Sequence, residues 1–392
     1  MLTPAAGAER LHWRLAGFYF FYYATVGAFM PYWAPYLEAR GFSPVQMGIA
    51  FALMGLTRSI LPVAWGWYAD HSGKRVALIR WASIAALITF MAIPFVDGIW
   101  WIGGLMLAYT LFWHALLPQF EVVAINHLQA SGRDYSRVRL WGSVGFVASV
   151  LGLGLALDLT GILWLPWLVG SFWLGMSISA WLVPEAPEHP ATDAPRPSLW
   201  RVVMRPEVAA LLFVCFCSQL SFAPYYNFFT LYLEHHHYSR SLAGLLWALG
   251  VVAEIGIFMI VGRWIARVGA RRVMIVAMVA TTLRWFFTAT LVDSWPVLIA
   301  VQLAHAVSFG AYHAVAMHYV TRFFPPLLHG RGQAVYNAVA YGIGGSIGSL
   351  GSGFLWEGVS PDAAFYAAGI VAFVGTAVAW RFLPDTNPAP MR

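Results

Sequence analysis

GWYADHSGKR at residues 66–75 and GRWIARVGAR at residues 262–271 are one short phrase written twice, 196 positions apart in a chain of 392. Each copy is a glycine-marked basic turn between two long apolar stretches, which is how a tight cytoplasmic hairpin between two membrane helices reads. The chain is therefore two similar halves joined end to end. Duplicated halves of this kind are a recurrent design of membrane transporters.

Composition agrees. Apolar residues make up 60% of the chain and charged residues 10%, against about 25% charge in a soluble domain. Twelve stretches between residues 13 and 382 are long and apolar enough for a hydrocarbon core of about 30 Å. The fold predicted is all-α and integral to the membrane, with twelve transmembrane helices in two pseudo-symmetric six-helix bundles and both termini cytoplasmic. One bundle covers residues 1–183 and the other 208–392. Between them, residues 184–207 are rich in proline and charge, and read as a cytoplasmic linker.

Lys and Arg resist translocation and collect on the cytoplasmic side. With both termini inside, nineteen of the 23 basic residues are cytoplasmic, Arg40 and Arg240 lie outside, and Arg58 and Arg284 fall within spans. The net charge of +6 is thus a topology signal and carries no nucleic-acid inference. No cleavable leader is read at the amino terminus. The expected location is a bacterial-type inner membrane, crossed many times, with a monomer expected.

An ionised side chain at the centre of a span costs about 2.5–3.5 kcal/mol or more, so those that persist face protein or water. Arg58, Glu121, Glu254 and Arg284 are such residues, His305 joins them, and Arg139 opens the fifth span within reach of the interior. The positive surplus suits an anionic substrate, or a site that holds a proton to balance. Each has a structural alternative: Glu121 with Arg139, or Glu254 with Arg284, as a permanent ion pair; Arg58 on an interior carbonyl; His305 as a satisfied core histidine. The His235, His236, His237 run reads as a solvated loop, because consecutive residues cannot all converge on one tetrahedral ion; no metal is expected. Aromatic runs in the first span (Phe18 to Tyr23) and the seventh (Tyr225, Tyr226, Phe228, Phe229) point all round their helices, so at most about a third to a half of the rings can face a cavity.

DYSRVRLWGSVGFVASV at 134–150, GLLWALGVVAEIGIF at 244–258, LRWFF at 283–287 and VQLAHAVSF at 301–309 resemble the 3-phenylpropionic acid permease branch of the major facilitator superfamily. The spacing from Glu121 to Arg139 and the NFFT at 227–230 are similar to the related lactose/proton symporters. The resemblance implies a substrate-binding pair of Glu121 and Arg139, with Phe146 as a stacking ring; Arg58, Tyr226 and Asn227 are expected beside them as further substrate-binding residues. It implies proton coupling through Arg284 and His305. Those symporters carry a glutamate three residues after the histidine, where this chain has Ser308, and their eighth-span acid falls at Val251; either Glu254 takes over the proton, the reading adopted, or coupling is arranged differently. The hairpin residues Gly66, Asp70, Gly73, Lys74 and Arg75 resemble the superfamily's conformational gating loop, and Ala266 replaces its acid in the second copy. GIGGSIGSLGSG at 342–353 reads as a small-residue sliding surface.

The expected function is proton-coupled uptake of a small aromatic carboxylate by alternating access, with the proton as coupling ion, no other cofactor, and the lipid bilayer and the substrate as partners. A sugar or nucleoside symporter, a drug efflux antiporter and a non-transporting receptor are the alternatives. No nucleophile elbow and no metal-spaced histidine pair points to an enzyme.

Overall fold

The computed structural model describes residues 4–131, 134–185 and 198–385, so half of the linker expected at 184–207, residues 186–197, lies outside the described residues. All regular structure among these residues is helical: α1 (Pro4–Ala39), α2 (Pro44–Ser72), α3 (Arg75–Met91), α4 (Ile99–Ser131), α5 (Tyr135–Thr160), α6 (Leu165–Leu182), the short α7 (Leu199–Val203), α8 (Pro206–His235), α9 (Arg240–Val268), α10 (Ala270–Thr290), α11 (Trp295–Leu303), α12 (Tyr312–Phe323), α13 (His329–Asn337), α14 (Gly345–Gly358) and α15 (Pro361–Phe382). In a bilayer every backbone polar group needs an internal partner, and helices supply it. Prolines at 31 and 35 in α1, 62 in α2, 118 in α4 and 224 in α8 sit inside helices, as membrane helices tolerate.

Ten helical segments among the described residues are long and apolar enough to cross a membrane. Neither α1 nor the run from α13 to α14 is among them. Both are long, but Tyr, Trp and Pro dilute the hydropathy of the first, and Gly and Ser that of the second. The outward faces are apolar too: Phe95, Trp100 and Leu159 are more than 70% exposed, an arrangement stable against lipid and costly against water. This is a multi-pass membrane protein.

The chain forms two compact units. The first comprises Met1–Phe42, Ile60–Asp193 and Ser239–Leu245; the second comprises Ser43–Ser59, Ala194–Tyr238 and Leu246–Arg392. Two short segments thus cluster away from their sequence neighbours, and both are helix beginnings. In the second unit, the start of α2 is held by a reciprocal cap: Ser43 N–H donates to Gln46 Oε1 at 2.9 Å and Gln46 N–H to Ser43 Oγ at 3.4 Å. Glu357 of α14 accepts from Val45 N–H at 2.9 Å, a negative charge at the positive end of a helix. The start of α9, in the first unit, repeats the device, with Asp158 of α5 accepting from the N–H groups of Arg240 at 3.0 Å and Ser241 at 2.9 Å.

Glycines make both approaches close. A Cβ on Gly48 would lie 2.8 Å from the Ser349 carbonyl oxygen, and one on Gly244, 196 positions later, 2.4 Å from that of Val150. Backbone cannot yield as a flexible side chain can, so neither position accepts a larger residue without separating its helices. The repeated hairpins also match. Gly73 and Gly269 both have positive φ, 64° and 87°, and each N–H returns to the carbonyl four residues back, on Ala69 at 3.1 Å and Ile265 at 3.0 Å.

Candidate functional site

In the first unit, the chemistry gathers where α1, α4 and α5 meet. Asp134 caps α5 by accepting from Ser136 N–H at 2.9 Å, and these bonds hold its carboxyl below the usual range. That cap starts the helix so that Tyr135 and Arg139, four residues apart, share a face. The Arg139 guanidinium donates to the Tyr23 hydroxyl and lies 4.1 Å from the centre of the Tyr23 ring and 5.5 Å from that of Tyr19. Tyr19 donates to the Tyr135 oxygen at 3.3 Å, and Tyr135 donates to Glu121 Oε1 at 3.4 Å. Glu121 and Arg139 are therefore brought together through a relay of tyrosines.

Space for this cluster comes from small residues. A Cβ on Gly142 would lie 2.7 Å from Arg139 Nη1 and 2.7 Å from Tyr23 Cδ2. Phe146 lies one turn further on, 9% exposed, with its ring and carbonyl against Gly27 of α1. In this arrangement Phe146 packs α1 against α5.

In the second unit, α8, α9, α10 and α11 surround a buried arginine. Arg284 is 1% exposed. It donates to His305 Nδ1 at 2.9 Å, to Gln302 Oε1 at 3.3 Å and to Ser308 Oγ at 3.5 Å. The rings of Tyr225, Trp285 and Phe222 stand 4.3, 4.5 and 5.6 Å from its guanidinium, so aromatic faces supply part of the solvation that water would give. Since arginine only donates, Nδ1 of His305 is the acceptor, and a neutral imidazole then carries its proton on Nε2. That Nε2 faces Glu254 Oε2 at 3.6 Å. Arginine, imidazole and carboxylate form a row.

A π turn at Ala306–Ala311 follows His305 directly, a distortion often found at functional positions. Gly310 sits in it, and a Cβ there would meet Ile257 Cγ2 at 2.5 Å and Glu254 Cγ at 3.1 Å. The glycine lets α9 approach closely enough to bring Glu254 to His305. Tyr226, half-buried, lines the same region with Phe222, Trp247 and Phe309, its ring centre 5.5, 6.4 and 6.3 Å from theirs.

The residues expected to bind substrate divide between the units. Glu121, Arg139 and Phe146 belong to the first, and Arg58, Tyr226 and Asn227 to the second. Arg58 is exposed, with its guanidinium 4.9 Å from the centre of the Tyr341 ring. Asn227 donates to Ser349 Oγ at 2.7 Å, joining α8 to α14. All three residues expected to couple protons fall in the second unit and meet. In the hairpin, Arg75 donates to both Asp70 and Gln119, tying α3 to α2 and α4, while Lys74 stands before α3 and Gly66 faces Gln119. Tyr135, Gln119 and Gln302 were missed by sequence reasoning. Tyr135 had one signal, its position one turn before Arg139.

Comparison with known proteins agrees with this architecture. The MFS_1 like family matches residues 12–367. The probable 3-phenylpropionic acid transporter of Escherichia coli is 31% identical over 358 residues, covering 89% of this chain and 92% of that protein. The maltose permease of Geobacillus stearothermophilus is 26% identical over 92% of each chain. Among solved structures, a variant of the nucleoside transporter NupG superposes with a TM-score of 0.83 at 15% identity, covering 95% of this chain and 98% of that one. A bacterial homologue of the human lysosomal transporter Spinster gives 0.76 at 14% identity over 97% of each chain.

Proposed function

We infer what this chain does from a plain premise: it belongs to the MFS_1 like family, whose members are membrane transporters and not enzymes. The reading is a twelve-span inner-membrane carrier, with both termini cytoplasmic, that takes up a small aromatic carboxylate together with a proton by alternating access. Support for the aromatic acid comes from the Escherichia coli relative, and from Arg139 set among three tyrosines, where a carboxylate would find a cation and hydroxyl donors beside apolar ring faces.

The observation that carries proton coupling is the row Arg284, His305, Glu254. A carboxylate next to an imidazole that is itself next to a guanidinium sits in a field set by both, and a substrate anion that alters that field alters its hold on a proton. Glu254 takes the proton and His305 mediates between it and Arg284. One proton with one monoanion moves no net charge, so uptake follows the pH gradient alone; a second proton would add about 2.3 kcal/mol per 100 mV of membrane potential.

The test is uptake of labelled 3-phenylpropionate into proteoliposomes, with the pH gradient and the potential imposed separately. Accumulation driven by the pH gradient is expected, and uptake indifferent to both forces refutes proton coupling. A thermal-shift screen against aromatic acids, sugars and nucleosides, repeated with Arg139→Ala, identifies the substrate class. Stabilisation by nucleosides and not by aromatic acids refutes the carboxylate.

A further inference from the structure

We propose that His313 is the next proton carrier after Glu254, accepting the proton from that carboxyl and releasing it toward the cytoplasmic end of α12. This rests on the proton-coupled reading above. Three observations on the second unit carry it. The π turn at Ala306–Ala311 sets His305, Phe309 and His313 in one stack: His305 to Phe309 is 5.3 Å between ring centres with planes 12° apart, and Phe309 to His313 is 6.0 Å, again with planes 12° apart. Glu254 of α9 packs against that turn, where a Cβ on Gly310, a residue between the two histidines in sequence, would lie 3.1 Å from Glu254 Cγ. Beyond the stack, His313 Nδ1 lies 3.3 Å from the Tyr336 hydroxyl and 3.5 Å from that of Tyr341, and Arg58 stands over the Tyr341 ring.

These groups grade from buried to exposed. Arg284 is 1% exposed and His305 5%, His313 is half-buried, and Arg58 is exposed. Phe309 separates the imidazoles, so a proton cannot pass ring to ring; it needs a carrier that swings. Glu254 is such a group, with two rotatable bonds beyond its Cβ and His305 already on one side. Around His313 stand Tyr336 from α13, Tyr341 from the turn after it with Arg58 of α2 above, and His305 through Phe309 on its own helix, while Glu254 of α9 is close enough to act on it electrostatically.

In the step itself, the carboxyl O–H of Glu254 breaks as an Nε2–H bond forms on His313. The resulting imidazolium then loses its Nδ1 proton to water beside the tyrosine hydroxyls. Imidazole suits the task because its two nitrogens allow entry on one side and exit on the other, near neutral pH. The carboxylate is left ionised next to His305, and a flip of the His313 ring, or exchange of its remaining proton with water, restores a bare nitrogen toward Glu254 for the next cycle.

The experiment compares wild type with His313→Gln and with the double variant Tyr336→Phe/Tyr341→Phe in proteoliposomes. Two rates are read with labelled 3-phenylpropionate: exchange at equal pH, and accumulation driven by a pH gradient. His313→Gln is expected to lower accumulation about tenfold or more and to leave exchange within about twofold of wild type. The tyrosine pair is expected to lower accumulation in the same sense, which serves if the histidine variant does not fold. Accumulation at the wild-type level in either folded variant overturns the proposal, as does an equal fall in exchange and accumulation, which marks a structural role.

An infrared pH titration of the reconstituted protein needs no substrate. The Glu254 carboxyl band, assigned by its loss in Glu254→Gln, is expected to change its midpoint in His313→Gln, and an unmoved midpoint overturns the proposal. A wild type that exchanges without accumulating refutes the coupling premise instead, so the two failures are told apart.

Discussion

Replacing Glu254 and Arg284 by glutamine, singly and together, measures whether these charges hold each other across His305. Arg284 reaches one ring nitrogen at 2.9 Å and Glu254 faces the other at 3.6 Å. With the imidazole between them, the two charges are no more than about 9 Å apart, worth ~2 kcal/mol at an effective dielectric of about 20 and only ~0.5 kcal/mol in water. Arg284→Gln alone costs more than this, because it also loses the Gln302 bond and the faces of Tyr225, Trp285 and Phe222. The double-mutant cycle removes those losses, since they occur with and without Glu254. Unfolding free energies of the four proteins, from denaturing-detergent titrations in mixed micelles, should therefore give a coupling of ~2 kcal/mol. High salt should change it little, because buried charges are poorly screened. Coupling within about 0.5 kcal/mol of zero means that the row does not act as one electrostatic unit, and the account of proton binding given above fails with it.

Gly145→Ala should destabilise the first unit by about 1–3 kcal/mol, because the added Cβ would lie 2.1 Å from the Phe20 carbonyl oxygen; Gly152→Ala, which meets nothing within 4 Å, is the control, and equal thermal midpoints for the two contradict the packing argument. Glu357 has its carboxyl held below the ordinary value of 4.5 by bonds from Ser43 and the Val45 N–H, so its contribution is complete above that value and fades as pH falls through the folded one. Thermal midpoints of wild type and Glu357→Gln should accordingly differ at neutral pH and converge in acid, and an offset that does not change with pH argues against the cap. Asp70→Asn should cost less than about 1 kcal/mol of stability, since Asp70 is 66% exposed. If the hairpin gates transport, the same change slows uptake several-fold, and an uptake rate equal to wild type excludes that role.

Several parts of this protein were legible in its linear order. Spans of apolar residues and the two hairpins 196 positions apart each rest on a local cost: of a polar group in hydrocarbon, or of a turn that needs positive φ. Gly73 and Gly269 answer to that same local rule and adopt it. Arg284, His305 and Glu254 could be picked out because ionisable groups are rare and expensive in a span, wherever their neighbours happen to be. Hydropathy was a weaker guide where composition is mixed, so α1 and the α13 to α14 run read as spans by length and fall short by apolarity.

Partnership was decided only by tertiary structure. No sequence rule places the beginning of α2 with the second unit or that of α9 with the first; those choices depend on which backbones can approach closely, and on Glu357 and Asp158 finding the N–H groups they cap. Nor does spacing disclose the π turn that aligns His305, Phe309 and His313, or the tyrosine relay from Glu121 to Arg139. A sequence fixes where charge and bulk occur along each helix. Helix rotation, crossing angle and one extra residue in a turn decide which of them meet, and these arise from the packing of all the helices in a unit at once.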